Sequence, residues 1–259
     1  MNEKASARQA GKRAWSRQQI RGLVHNVLKR ITQAVLLALL AVVLLYGVYV
    51  SYRDHTRVDY LASLDETAVT VDGEDLTLSD LGFYVLYEEQ QIENKAEIYN
   101  AQSTKDFWNI HVNGIFIQAQ AKKAALDMAV HDRIFYRAAT TDGFVLTSEE
   151  KQLLENTRTD FWSDLYDEQK ERLPGTYESI NETMKEIALA QKYQAHLAKE
   201  KGTTYAGFGY DGLDYKQLLK TEHKIKVNKK IWDRVVFGDI TLKHSSVSYI
   251  NGYEGEMKE

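Results

Sequence analysis

The sequence predicts a mainly α protein: a single N-terminal transmembrane helix, followed by a helical domain with a small β element. Three observations point there. The 259 residues include one proline, Pro174, a residue that helix interiors exclude. Residues 31–52 carry no charge and are almost wholly apolar. Beyond them, apolar residues recur at helical intervals through most of the chain. The absence of cysteine excludes disulfide staples, thiolate metal sites, thiol–disulfide exchange, a cysteine nucleophile and a lipidated cysteine anchor.

Residues 1–30 form a basic tail, in which Lys4, Arg8, Lys12, Arg13, Arg17, Arg21, Lys29 and Arg30 face one acid, Glu3. Within it Trp15, Ile20, Leu23, Val24, Val27, Leu28 and Ile31 recur at helical spacing. Two readings fit: an amphipathic helix on an anionic leaflet, or a tail that serves only as a topology signal. The 31–52 run, at ~1.5 Å per residue, spans roughly the ~30 Å of a hydrocarbon core. Tyr46, Tyr49 and Tyr52 sit near one end, where interfacial aromatics belong. A cleaved signal peptide has a shorter apolar core and small residues at the cut. This run ends in Tyr-Val-Ser-Tyr, so an uncleaved anchor is expected. Of the chain's 33 basic and 37 acidic residues, 25 and 36 follow Tyr52, a net of −11 hidden inside a total of −4. The positive-inside rule therefore predicts a cytoplasmic N-terminus and an extracytoplasmic segment from residue 53 onward, in a cell membrane.

A juxtamembrane linker is expected over 53–66, then one extracytoplasmic domain over 67–243 and a flexible tail over 244–259. Ala68 to Leu78 alternates apolar and polar residues around Asp72-Gly73, a short hairpin signal. Ser79 is the expected N-cap of a helix reaching about Asn100, with Leu81, Val85, Ile92 and Tyr99 on one face. A long helical pattern runs from Phe107 to about Thr140, kinked or broken at Asn113-Gly114. Thr147 and Glu150 form a capping-box pattern for a helix to about Gln169, with Leu153, Leu154, Phe161, Trp162 and Leu165 inward. Pro174-Gly175 breaks the chain before a helix over about 178–201, with Ile180, Met184, Ile187 and Ala188 on one face. A helix is expected over 214–220. The strand formers of 231–242 suggest a strand returning to the 68–78 hairpin.

Little of this carries catalytic chemistry. Gly207, Gly209 and Gly212 fit G-x-G-x-x-G, but the end of a polar helix precedes them instead of a buried strand. Ser148-Glu149-Glu150-Lys151 fits S-x-x-K without its partner motifs, and the capping box explains it. The seven histidines form no metal-ligand spacing, so no metal and no cofactor are expected. His131-Asp132 follows Asp127 by a helical turn, which allows a carboxylate–histidine pair, an arrangement more commonly structural than catalytic. The 28 aromatic residues are more informative. Phe83, Tyr84 and Tyr87, with Leu81, Val85 and Leu86, make one helix apolar nearly all round, which calls for central burial or a partner. With Phe107 and Trp108, they are the candidate client contacts.

The string T-V-D-G-E-D-L-T-L-S-D-L, with Val71, Asp72 and Gly73 at its turn, resembles the start of the N-terminal chaperone region of SurA/PrsA-type foldases. Val130, Ile134, Ala138, Gly143, Val145, Leu146, Thr147, Glu149 and Glu150 follow a second pattern of that family, with one extra residue between Ala138 and Gly143. The resemblance covers about 67–170 and implies a SurA-N-like helical lobe. No parvulin-like motif is found, so it implies client binding without prolyl isomerase activity. The expected function is a membrane-anchored chaperone-like module holding unfolded or extended segments of exported proteins. The alternative is a scaffold subunit docking one fixed envelope protein. Beyond these and the lipid bilayer, no nucleic-acid partner is expected.

Overall fold

The computed structural model describes residues 17–244, and of 17–24 and 53–55 the backbone alone. Helix accounts for 65% and strand for 7%, which makes the protein mainly α with a small sheet. The chain divides into two compact units between Thr56 and Arg57.

The first unit contains α1 (Arg17–His55), one unbroken helix. Its segment His25–Tyr52 has a mean hydropathy of 2.5 and is long and apolar enough to cross a membrane. Residues 17–30 are thus the start of the same helix rather than a separate element. Lys29, Arg30, Tyr46, Tyr49 and Tyr52 are all exposed along it. Arg17 and Arg21 lie on its backbone, and Arg13 lies outside the described residues.

The second unit starts at Arg57, earlier than the linker reading suggested. Val58 donates its N–H to the Arg234 carbonyl (3.1 Å), and the buried Tyr60 donates its hydroxyl to the Leu78 carbonyl (2.6 Å). β1 (Thr67–Val71) and β2 (Glu74–Thr77) form the expected hairpin. Its turn places Asp72 at φ 51° and Gly73 at φ 90°, the positive pair that a type I′ turn requires. β5 (Ile225–Val227) pairs antiparallel on the other side of β1, giving the order β2-β1-β5. Asp72 secures that return by accepting the Lys224 N–H (2.8 Å) and meeting His223 Nδ1 (2.8 Å).

Helix α2 (Gly82–Asn100) begins three residues after Ser79. The reason is local: the Asp80 carboxylate accepts the Thr77 N–H (2.7 Å) and hydroxyl (2.8 Å), closing a turn first. Gly82 is then pressed against the Pro174 carbonyl, 2.2 Å from where a Cβ would stand. Leu81 and Val85 are buried as expected, but Tyr99 is exposed, and the buried face also carries Glu89, Gln90 and Glu93. A short α3 (Thr104–Trp108) follows. The Asn113-Gly114 break is a small hairpin, β3 (His111–Val112) and β4 (Ile115–Phe116), with both turn residues again at positive φ.

α4 (Ile117–Thr141) supplies the central face, burying Ala121, Ala125, Ala129, Val130, Ile134, Phe135 and Ala139. It ends in a Schellman arrangement: Phe144 N–H to Ala139 (2.8 Å) and Gly143 N–H to Thr140 (3.2 Å). α5 (Ser148–Asp164) has the expected capping box at Thr147 and Glu150 but stops before Gln169. Leu165 turns extended, Gln90 takes the Asp164 carbonyl (2.8 Å), and a new short helix, α6 (Asp167–Glu171), starts. Leu154, Phe161 and Leu165 point inward, whereas Leu153 is 65% exposed. α7 (Tyr177–Glu200) packs along α4, burying Ile180 and Met184, with Ile187 and Ala188 half-buried. A 3-10 turn (Tyr205–Phe208), α8 (Leu213–Glu222) and α9 (Lys229–Trp232) complete the helices.

The strand expected over 231–242 does not form; β5 is the strand that returns. The 233–242 segment is irregular yet buries Val235, Phe237, Ile240 and Leu242. Three of its amides are satisfied by a side chain instead of a sheet. The fully buried Glu89 carboxylate accepts the N–H groups of Gly238 (2.5 Å), Ile240 (3.2 Å) and Thr241 (2.7 Å), and the Thr241 hydroxyl (2.6 Å). Burial pushes the Glu89 pKa up, and these donors oppose that push. One helical turn on, Glu93 accepts the Trp108 indole N–H (2.9 Å) and meets His244 Nε2 (3.1 Å), whose Nδ1 faces Asp239 (3.3 Å). Residues 245–259, most of the expected tail, lie outside the described residues.

Candidate functional site

An open groove of about 700 Å³ is lined from α2, α4, α5, α7 and the 205–211 loop. The α2 wall carries three of the sequence candidates. Phe83 and Tyr87, one helical turn apart, stack with ring centroids at 6.0 Å, and Phe83 meets Tyr84 edge-on at 5.4 Å. Behind Phe83 lies Phe161 at 5.2 Å, so the wall is backed by the second of two core clusters. Tyr84 is the deepest of the three, and its hydroxyl donates to Asp132 (3.1 Å). Burial, and then the Asp132 charge, push the Tyr84 phenol well above its ordinary pKa, so it remains a neutral donor.

Opposite walls come from residues whose roles were not legible locally. The capping box fixes the start of α5, and Leu153 and Leu154 project from its second turn into the groove. Lys192 on α7 ties that start down, donating to Glu150 (2.6 Å) and to the Val145 carbonyl (2.9 Å). Tyr205, Tyr210 and Asp211 supply a third side, and Met184, Ile187 and Met128 add apolar surface.

The glycine-rich segment is this third side. It follows α7, not a strand, and opens onto α8 without a βαβ unit. Its close turns need small residues, since a Cβ on Gly212 would stand 2.2 Å from the Gly207 carbonyl. Two buried polar links hold it. Gln194 donates to the Tyr205 carbonyl (2.8 Å), and His131 Nε2 faces the Phe208 carbonyl (2.9 Å). His131 Nδ1 meets Asp132 at 2.7 Å, so both ring nitrogens are engaged. The geometry makes this pair a strut, with no nitrogen left to take a proton from a bound molecule. Among the described residues, no group of three or more His, Asp or Glu side chains is placed to hold a metal ion.

Phe107 and Trp108 do not reach the groove. Trp108 is 3% exposed and spends its indole N–H on Glu93, while Phe107 packs against Tyr99 at 5.4 Å. A separate apolar surface is left open at β3–β4, where Val112, Ile115 and Phe116 are each more than 40% exposed. The chain matches no protein-family model, no curated protein and no solved structure, so its groove is interpreted from its own residues.

Proposed function

We propose that this protein is a membrane-anchored, chaperone-like module that holds unfolded or extended segments of exported proteins in the aromatic groove, without isomerase chemistry. The observation that carries the reading is the groove itself: open, apolar, and faced by Phe83, Tyr87, Tyr205 and Tyr210 on walls braced by buried polar links. Its volume falls within the ~300–1,000 Å³ range of sites that take several apolar groups at once. Aromatic faces accept varied side chains at low entropic cost, which suits a binder of many sequences. The hairpin-then-helix order of β1, β2 and α2 is in keeping with the SurA-like resemblance at Val71, Asp72 and Gly73. On this proposal α1 is the anchor, the basic tail is cytoplasmic, and the acidic unit from Arg57 works outside.

The second reading is a scaffold that docks one fixed envelope protein. The exposed Val112, Ile115 and Phe116 of the β3–β4 hairpin favour it, since they offer apolar surface away from the groove. In-cell photo-crosslinking separates the two. A probe at Tyr87 is expected to capture many exported polypeptides; one stoichiometric product, or capture only from position 115, favours the scaffold. External protease digestion of intact cells tests the topology: the unit from Arg57 is expected to be cut, and its survival sinks that assignment.

A further inference from the structure

We infer that the groove selects segments in which a lysine or arginine stands beside an aromatic or large aliphatic residue. This rests on the client-binding reading and specifies the client class. The argument is one of unmatched charge. On the α5 side, Glu150 is balanced by Lys192 at 2.6 Å. Deeper in, Asp132 is engaged by His131 and Tyr84. At the Tyr87–Tyr210 end the balance is missing. Asp211 lines the groove, and Lys216 reaches its backbone carbonyl (2.6 Å) rather than its carboxylate. Glu88 follows Tyr87 on α2. Among the described residues, neither Asp211 nor Glu88 forms an ion pair, although Lys95 acts on Glu88 from farther off.

The tyrosines register this negative field. The Tyr210 phenol is pushed up by burial and then by Asp211, Glu88 and Asp127; Tyr87 is pushed up by burial and then by Glu88. Two half-open phenol faces beside the unpaired Asp211 carboxylate, with the Glu88 charge acting on both phenols, are a good environment for a guanidinium or ammonium group. Asp211 accepts charge-assisted hydrogen bonds, Glu88 adds attraction through space, and the rings attract the cation. The neighbouring apolar surface of Phe83, Leu154, Met184 and Ile187 takes the adjoining large side chain. The net −11 of the segment after Tyr52 adds a long-range preference of the same sign.

The test uses the full chain in nanodiscs of zwitterionic lipid and three fluorescent peptides alike in apolar content. They carry arginine, serine or glutamate at one position beside a tryptophan, and empty nanodiscs correct for lipid binding. Anisotropy titrations are expected to rank arginine about three- to ten-fold tighter than serine, with glutamate weakest. The ranking should narrow at ~0.5 M salt. A Glu88→Gln/Asp211→Asn variant with an unchanged melting transition should bring arginine and serine to parity. Equal affinities for all three peptides overturn this inference and leave the groove reading standing, as does an arginine preference that survives in the double variant. Binding of none of the three overturns both.

Discussion

His131 presents Nε2 to the Phe208 carbonyl at 2.9 Å while its Nδ1 meets Asp132 at 2.7 Å, joining the middle of α4 to the loop that faces α2 across the groove. The ring is 4% exposed and wedged edge-on between Phe135 and Tyr215. Such a link is worth more than an exposed hydrogen bond, because breaking it strands buried polar groups.

His131→Ala should therefore lower stability by about 2–4 kcal/mol in urea unfolding. It should also open the 203–212 loop to limited proteolysis before the rest of the unit. Unchanged loop protection would contradict the strut role.

The Glu89 clasp predicts a larger effect. Glu89→Ala removes the acceptor for three backbone amides and one hydroxyl, and should cost about 3–5 kcal/mol. Hydrogen exchange should speed up first at Gly238, Ile240 and Thr241.

Position 82 tests the packing at the start of α2. Gly82→Ala would drive a methyl onto the Pro174 carbonyl, so about 1–3 kcal/mol should be lost despite alanine's better helix propensity. Thermal melts of the two proteins decide it.

A pH prediction follows from His244. Burial alone would lower its pKa, but hydrogen bonds to Asp239 and Glu93 carry it up to about 10 from 6.5. A cationic group with a raised folded-state pKa stabilises fully below pH 6.5 and loses that contribution as pH rises towards 10. Hydrogen bonding from His244 lowers Asp239, and against the push of burial it and other donors also lower Glu93. Their contributions are present above their ordinary values, 3.8 and 4.5, and fade as pH falls below. Glu89 works oppositely on the acid side, because burial raises its pKa and the folded state takes its proton more readily. The Glu93–His244–Asp239 cluster is thus firmest between about pH 4.5 and 6.5, and His244→Ala should flatten the stability loss between pH 6.5 and 10.

Much of the fold could be read from the chain because its signals are local. The Asp72-Gly73 turn, the Thr147–Glu150 box and the Gly143 stop each depend on a few adjacent residues. Glu89 and Glu93 were illegible because a helical glutamate looks alike whether solvent or distant amides receive it. The same gap turned 231–242 into an expected strand: its β-formers are buried, but three of its amides go to Glu89, some 150 residues earlier in the chain. Half the groove was visible as the Phe83–Tyr87 cluster. The other half, Leu153 with Tyr205 and Tyr210, comes together only through the packing of α7 and the His131 strut.

The most direct test compares the full chain with a Tyr87→Ser/Leu153→Ser/Tyr210→Ser variant, both in nanodiscs, in suppressing aggregation of a denatured protein. These side chains are 36%, 65% and 36% exposed, so the variant should melt within a few degrees of the parent. The account predicts suppression at near-stoichiometric ratios by the parent and its loss in the variant. Equal suppression by both, or by neither, would contradict the claim that this groove holds unfolded chains.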